Sequence, residues 1–135
     1  ETVLIDQKHT QAKWVETADR VLVDAPCSGL GILKRYPDTK WKMNPEKIKN
    51  LIALQKEILQ RSAIWVKPGG LLVYATCSIF PNENQEQVNA FLNSPHGQTF
   101  ERTKEKTFYA HQTGFDGFYI AVLKHKLVDK LGNNS

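Results

Sequence analysis

The sequence predicts an α/β fold with parallel strands joined by helical crossovers, and three observations carry that prediction. Two continuous apolar runs of strand length, "RVLVDA" (20–25) and "LLVYAT" (71–76), have the pattern of parallel strands buried on both faces. Between them Ile48, Leu51, Ile52, Gln55, Ile58, Leu59 and Ser62 recur at the three- and four-residue spacing of one helix face. Each apolar run also ends in a turn of small residues, "PCSG" and "TCS", and each turn holds one of the chain's 2 cysteines. Strands alternating with a helix in this way read as right-handed βαβ units.

Taken in order, "TVLID" (2–6) reads as a short strand, and residues 7–18 show no clear period. "RVLVDA" is the first long strand, followed by the "PCSGLG" turn. The long helix begins at Asn44, a residue suited to capping, with Pro45 at the first helical position. It is expected to end near Val66, where "KPGG" (67–70) breaks it before "LLVYAT" begins. After "CSIFP", Asn82 is the expected cap of a second helix. Gln85 stands three residues on, and Val88, Phe91 and Leu92 form the apolar stripe. "QTFERT" (98–103) and "GFYIAVLKH" (117–125) are later strands, the last alternating in the manner of a sheet edge. The 135 residues suit one domain, 1–126, with a polar tail over 127–135.

Composition narrows the class. A hydrophobic share of 41% and a charged share of 24% are those of a globular domain. No apolar run reaches the roughly 18–20 residues of a membrane span, and no secretory signal is present, so a cytoplasmic location without disulfides is expected. The net charge of +4 suits a nucleic-acid partner. Locally, Lys34, Arg35, Lys40, Lys42, Lys47 and Lys49 stand against Asp38 and Glu46, with Tyr36 and Trp41 interleaved. Cations for phosphates beside rings for bases are what single-stranded RNA binding uses. A solvated loop running into the charged face of a helix has the same composition.

Ligands of open α/β sheets sit at the carboxyl ends of the strands, where Asp24, Cys27, Thr76 and Cys77 all fall. If the two long strands are neighbours, both thiols face one crevice. The spacing excludes CxxC redox chemistry, and two cysteines without a histidine cluster make no zinc site, so no metal is expected. A merely structural pair of buried cysteines is the alternative.

These motifs resemble the RNA (cytosine-5) methyltransferases of the Sun/Fmu type, including those of bacterial ribosomal RNA. "DAPCSG" and "ATCS" lie at two strand ends, with Pro37, Asp38, Lys40 and Trp41 between them. "KPGG" precedes "LVYATCS", Pro81, Glu83 and Asn84 open the next helix, and "DGFY" (116–119) closes the pattern. The likeness covers residues 19–125. It implies the Rossmann-like fold of class I S-adenosylmethionine-dependent methyltransferases, represented by a C-terminal part of the catalytic domain that lacks the first two strands and is inactive alone. The four strands would pair in the order "RVLVDA", "LLVYAT", 117–125, 98–103. Residues 1–18 would be displaced, disordered or paired with a neighbouring chain.

The resemblance further implies S-adenosylmethionine as cofactor and RNA, ribosomal rather than transfer, as partner. By position Cys77 is the nucleophile and Cys27 assists product release. Asp6 and Asp24 belong to the cofactor, and Pro26, Lys34, Arg35 and Lys40 to the RNA. Two other classes compete. One is a catalytically silent RNA-binding module of the same fold, which would have no reason to hold both cysteines and Asp24 together. The other is a thiol hydrolase using Cys77, for which His9, His96, His111 and His125 offer no base with a recognisable motif.

Overall fold

A computed structural model describes residues 12–33 and 35–127 of the chain. Four strands, β1 (Ala18–Asp24), β2 (Val66–Thr76), β3 (Phe100–Phe108) and β4 (Phe118–His125), form one sheet in the order β1-β2-β4-β3. This is the strand order that the resemblance implies. The sheet is mixed rather than parallel throughout: β1 and β2 are parallel, while β4 runs antiparallel to both β2 and β3. β4 is therefore an interior strand, not an edge. Its alternation arises because Tyr119, Ala121 and Leu123 enter the core while Ile120 and Val122 lie half-buried on the other face.

The same one-sidedness corrects the reading of "RVLVDA" as buried on both faces. Val23 is 4% exposed, but its neighbour Leu22 is 68% exposed at the sheet edge. The two longer helices pack on the Val23 side. Helix α2 (Pro45–Ala63) presents Leu59 and Ala63 to Val23, Leu72 and Tyr74 in a continuous apolar core. It begins as expected, with the Asn44 Oδ1 accepting from the Lys47 backbone N–H at 2.9 Å and Pro45 in the first turn. Ahead of it, the single turn α1 (Thr39–Lys42) is tied on by the Lys47 ammonium, which donates to the Lys42 carbonyl at 2.8 Å.

The helix stops at Ala63, and β2 has already begun at Val66, so "KPGG" lies inside a strand rather than between elements. Its breaking tendency takes the form of a bulge. Ala18 faces Val66 but Arg20 faces Leu71, so β2 carries more residues than β1 over the same span, with Gly69 at a φ of 81°. The second helix, α3 (Gln85–Leu92), buries Val88 and Phe91 with Leu92 against the core, as its stripe predicts. Its cap position is Asn84, not Asn82, because a tight turn over Pro81–Glu83 occupies the residues before it. A further short turn, α4 (Ala110–Thr113), joins β3 to β4.

Residues 12–18 are docked, contrary to the expected displacement. The Glu16 N–H donates to the Ile64 carbonyl and the Ala18 N–H to the Trp65 carbonyl, each at 2.9 Å. "TVLID", with Asp6, lies outside the described residues, as do Lys34 and the tail beyond Leu127. Among the described residues no helix is long and apolar enough to cross a membrane.

Candidate active site

Because β1 and β2 are parallel neighbours in register, with Asp24 opposite Ala75, their carboxyl ends deliver the "PCSG" and "TCS" turns to one place. The Cys27 and Cys77 sulfurs are 3.1 Å apart, half-buried and unbridged. That separation is a thiol–thiol contact, well beyond the roughly 2.05 Å of a disulfide.

The turns are held by a carboxylate. Glu83 is fully buried. Its Oε1 accepts from the Ser28 backbone N–H at 2.7 Å and from the Gln55 amide at 3.1 Å. Its Oε2 accepts from the Ser28 hydroxyl at 2.7 Å and from the Ser78 hydroxyl. Ser28 and Ser78 are the residues immediately after the two cysteines. A buried carboxyl group is tolerated only when its acceptors are filled, and here four donors fill them.

The shell behind it is complete in the same sense. The second Gln55 N–H donates to the Pro26 carbonyl at 2.9 Å, and Gln87 donates to the Gln55 oxygen at 3.2 Å. The Tyr74 phenol, whose burial holds it protonated well above its usual range, donates to the Glu83 carbonyl at 2.7 Å. Asn84 accepts from the Thr76 hydroxyl at 2.6 Å and donates to the Ser78 carbonyl at 2.8 Å, which is why its side chain does not cap α3.

The thiols are unequal. Cys27, donating its proton to Cys77 and more deeply placed, is driven far above the ordinary thiol range. Cys77, receiving that hydrogen bond, is lowered to about 7, against opposing contributions from burial and from the Asp24 and Glu83 charges. The opposite directions of the two shifts favour ionisation at Cys77 over Cys27.

A third loop closes the site. The Gly31 N–H donates to the Cys77 carbonyl at 2.8 Å, and the Gly117 N–H donates to the Gly31 carbonyl at 2.6 Å. This brings the "DGFY" loop beside both cysteine turns. Asp116 of that loop pairs with Arg35 at 2.6 Å.

Of the other residues singled out in the sequence, Asp24 is exposed at the end of β1 beside the thiols, and Pro26 is exposed in the turn itself. Arg35 is engaged by Asp116 rather than open on all sides. Lys40 is exposed, with its ammonium 5.5 Å from the Trp41 ring, and that ring is 82% exposed. Asp6 and Lys34 cannot be placed, since both fall outside the described residues. Of the histidines, His125 is buried at the opposite end of the sheet, stacked on Phe100 with its Nδ1 2.8 Å from the Val66 carbonyl oxygen. The partner of the Cys77 sulfur is a thiol, not an imidazole. No group of residues able to hold a metal ion occurs among the described residues.

Sequence reasoning saw Glu83 only as part of a helix start, and Gln55 only as a position on a helix face. The available signal was a polar residue, Gln55, on an apolar stripe, together with a serine after each cysteine.

A family model described as 16S rRNA methyltransferase RsmB/F matches residues 1–124. The ribosomal RNA small subunit methyltransferase B of Shewanella oneidensis is 52% identical over 116 residues, covering 80% of this chain and 27% of that protein. The protein of the same name from Vibrio vulnificus is 45% identical over 123 residues, covering 87% of this chain and 29% of its own length. The chain thus spans under a third of the length of the relatives it matches. Among solved structures, PH0851 superposes with a TM-score of 0.75 at 36% identity, over 81% of this chain and 27% of that one. A methyltransferase homologue from Pyrococcus horikoshii gives 0.66 at 26% identity, over 78% of this chain and 38% of that one.

Proposed function

The chain belongs to the 16S rRNA methyltransferase RsmB/F family, and from that premise we propose that it carries the thiol site of an RNA cytosine-5 methyltransferase acting on ribosomal RNA. The observation that supports this reading most directly is the thiol pair, 3.1 Å apart at the carboxyl ends of two parallel strands.

Carbon 5 of cytosine is a weak nucleophile until a group adds at carbon 6. The Cys77 thiolate is placed to form that S–C6 bond, pushing the ring electrons onto carbon 5. S-adenosylmethionine, when bound, supplies the electrophilic methyl group. The carbon-5 proton then passes to solvent water, the C–H electron pair re-forms the ring double bond, and the S–C6 bond breaks with its pair on sulfur, restoring the thiolate. Cys27, already hydrogen-bonded to that sulfur, stabilises it as a thiolate as it leaves. Asp24, an exposed carboxylate beside the thiols, is the described residue suited to accept hydrogen bonds from cofactor or base. Asp6 is proposed for the cofactor on sequence grounds, and Pro26 for the edge of the base.

Trapping tests the reading. RNA containing 5-azacytidine should form a stable adduct with the complete protein that maps to Cys77. Stoichiometric RNA binding without an adduct would favour the silent binding module instead.

The basic strip is proposed as the phosphate-binding side of the same site, with the exposed Trp41 ring available for stacking. Replacing Lys34, Arg35 and Lys40 together is expected to weaken RNA binding and flatten its salt dependence, by roughly one unit of slope for each phosphate no longer neutralised. Filter binding over a salt series measures both. Unchanged affinity and slope would make the strip a solvated loop.

A further inference from the structure

We infer that Glu83 is a positioning residue for the thiol pair: by binding Ser28 and Ser78 at once, it holds the two cysteine turns at the separation that lets Cys27 donate to Cys77. The inference stands on connectivity. Glu83 is the one described side chain hydrogen-bonded to residues of both turns through its carboxylate, and each of those residues directly follows a cysteine. The turns come from strands that pair through backbone, but that pairing ends with the Ala25 N–H donating to the Ala75 carbonyl at 3.0 Å. Beyond it, side-chain bonds to Glu83, a longer direct Ser28–Ser78 hydroxyl bond at 3.3 Å and the Gly31 contact set the approach of the two sulfurs. Gln55 and Gln87 fix the carboxylate from α2 and α3, so the geometry is anchored in both helices.

This assigns a purpose to a feature that is otherwise unfavourable. A fully buried acid placed near a thiolate works against that thiolate by like-charge repulsion. The groups facing the Cys77 sulfur are the Cys27 thiol, the Asp24 carboxylate at the end of β1 and the Glu83 carboxylate from the Pro81–Glu83 turn. The Tyr74 phenol lies behind them on β2, protonated. Of these only Cys27 stabilises the thiolate. Glu83 therefore acts on Cys77 in two opposite senses: its charge disfavours the thiolate directly, and its hydrogen bonds favour it by holding Cys27 in place. The Cys27 contact is the largest influence on Cys77 and the Glu83 charge a minor one. The positioning effect should win.

The two senses give opposite signs, which makes the inference testable. In the complete protein, iodoacetamide alkylation of Cys77 is followed against pH by mass spectrometry of its peptide. In the parent protein the rate should rise with a midpoint near 7. Glu83→Gln removes the charge and puts amide donors where acceptors are needed. Its midpoint is expected to rise toward the ordinary thiol value of about 8.5, slowing alkylation at neutral pH by about tenfold. An unchanged or lowered midpoint would overturn the inference, because a charge acting only electrostatically would lower it on removal.

Cys27→Ala should raise the midpoint similarly. Adding Glu83→Gln to Cys27→Ala should raise it no further, and a further rise would show that Glu83 does not act through Cys27. If Glu83→Gln does not fold, Ser28→Ala combined with Ser78→Ala removes two of the four donors and keeps the carboxylate. The same upward shift is expected there, and no shift overturns the inference. The catalytic meaning of the clamp rests on the proposed role of Cys77, but alkylation needs neither RNA nor cofactor. A failure of the methyltransferase reading would leave this measurement unaffected.

Discussion

Cys77→Ala in the complete enzyme is expected to abolish methyl transfer and the covalent RNA adduct together, whereas Cys27→Ala should retain attack and accumulate protein trapped on RNA. The asymmetry follows from the shared proton. Removing Cys77 removes the nucleophile itself, so loss of four or more orders of magnitude is consistent with deletion of a covalent catalyst (roughly 10⁴ or more for a triad member). Removing Cys27 leaves the attacking sulfur in place. It deprives that sulfur of the donor that lowers it to about 7, so attack at neutral pH slows, and it deprives the departing sulfur of a nearby proton. If elimination is slowed more than addition, the intermediate builds up. Denaturing gels of labelled RNA after incubation with cofactor read the adduct directly. Equal loss of adduct in both variants would refute the division of labour.

Gly31→Ala is expected to destabilise the fold by about 3 kcal/mol. A Cβ at Gly31 would sit 2.2 Å from the Gly117 carbonyl oxygen and 2.6 Å from that of Cys77, both backbone atoms that no rotamer change can move. Relief requires breaking the two short backbone hydrogen bonds that join the three loops. Gly114→Ala provides the control. Gly114 has a φ of 73°, but a Cβ there meets nothing within 4 Å, so about 1 kcal/mol of backbone strain is the expected loss. Denaturant titration of both variants separates the two origins. Similar losses would mean that the junction of loops yields more easily than its geometry implies. Because the Gly31 contact ends on the Cys77 carbonyl, the Gly31 variant should also blunt the alkylation of Cys77 at neutral pH.

The two cysteine turns were legible in the motif residues, and the strand order through the family resemblance those motifs carry. "RVLVDA" and "LLVYAT" are apolar runs of strand length bounded by turn residues, a local signal that tertiary structure had no reason to override. The helix start at Asn44 and Pro45 was legible for the same reason, since capping depends on a few consecutive residues. Other expectations failed where the outcome depends on what lies across space. "KPGG" is a breaker anywhere, but whether it ends an element or bulges within one depends on a neighbouring strand that continues past it, as β1 does here. Asn82 and Asn84 are equally good caps in isolation. The tight turn at Pro81–Glu83 decided between them, and Asn84 holds the cap position without a side-chain cap because Thr76 and Ser78 engage its amide.

The sequence by itself determined the α/β class and the placing of both cysteines at strand ends, and through its resemblance the strand order, because periodicity, turn chemistry and motif identity are properties of short stretches of chain. Only the tertiary structure decided that Cys27 and Cys77 touch, that Cys77 rather than Cys27 is favoured to ionise, and that Glu83 joins their turns. Those facts rest on side chains distant in sequence, Ser28, Gln55, Ser78 and Glu83, meeting in a buried space where each polar group must find a partner. No local pattern encodes that requirement, since satisfaction of buried donors and acceptors is a property of the packed whole.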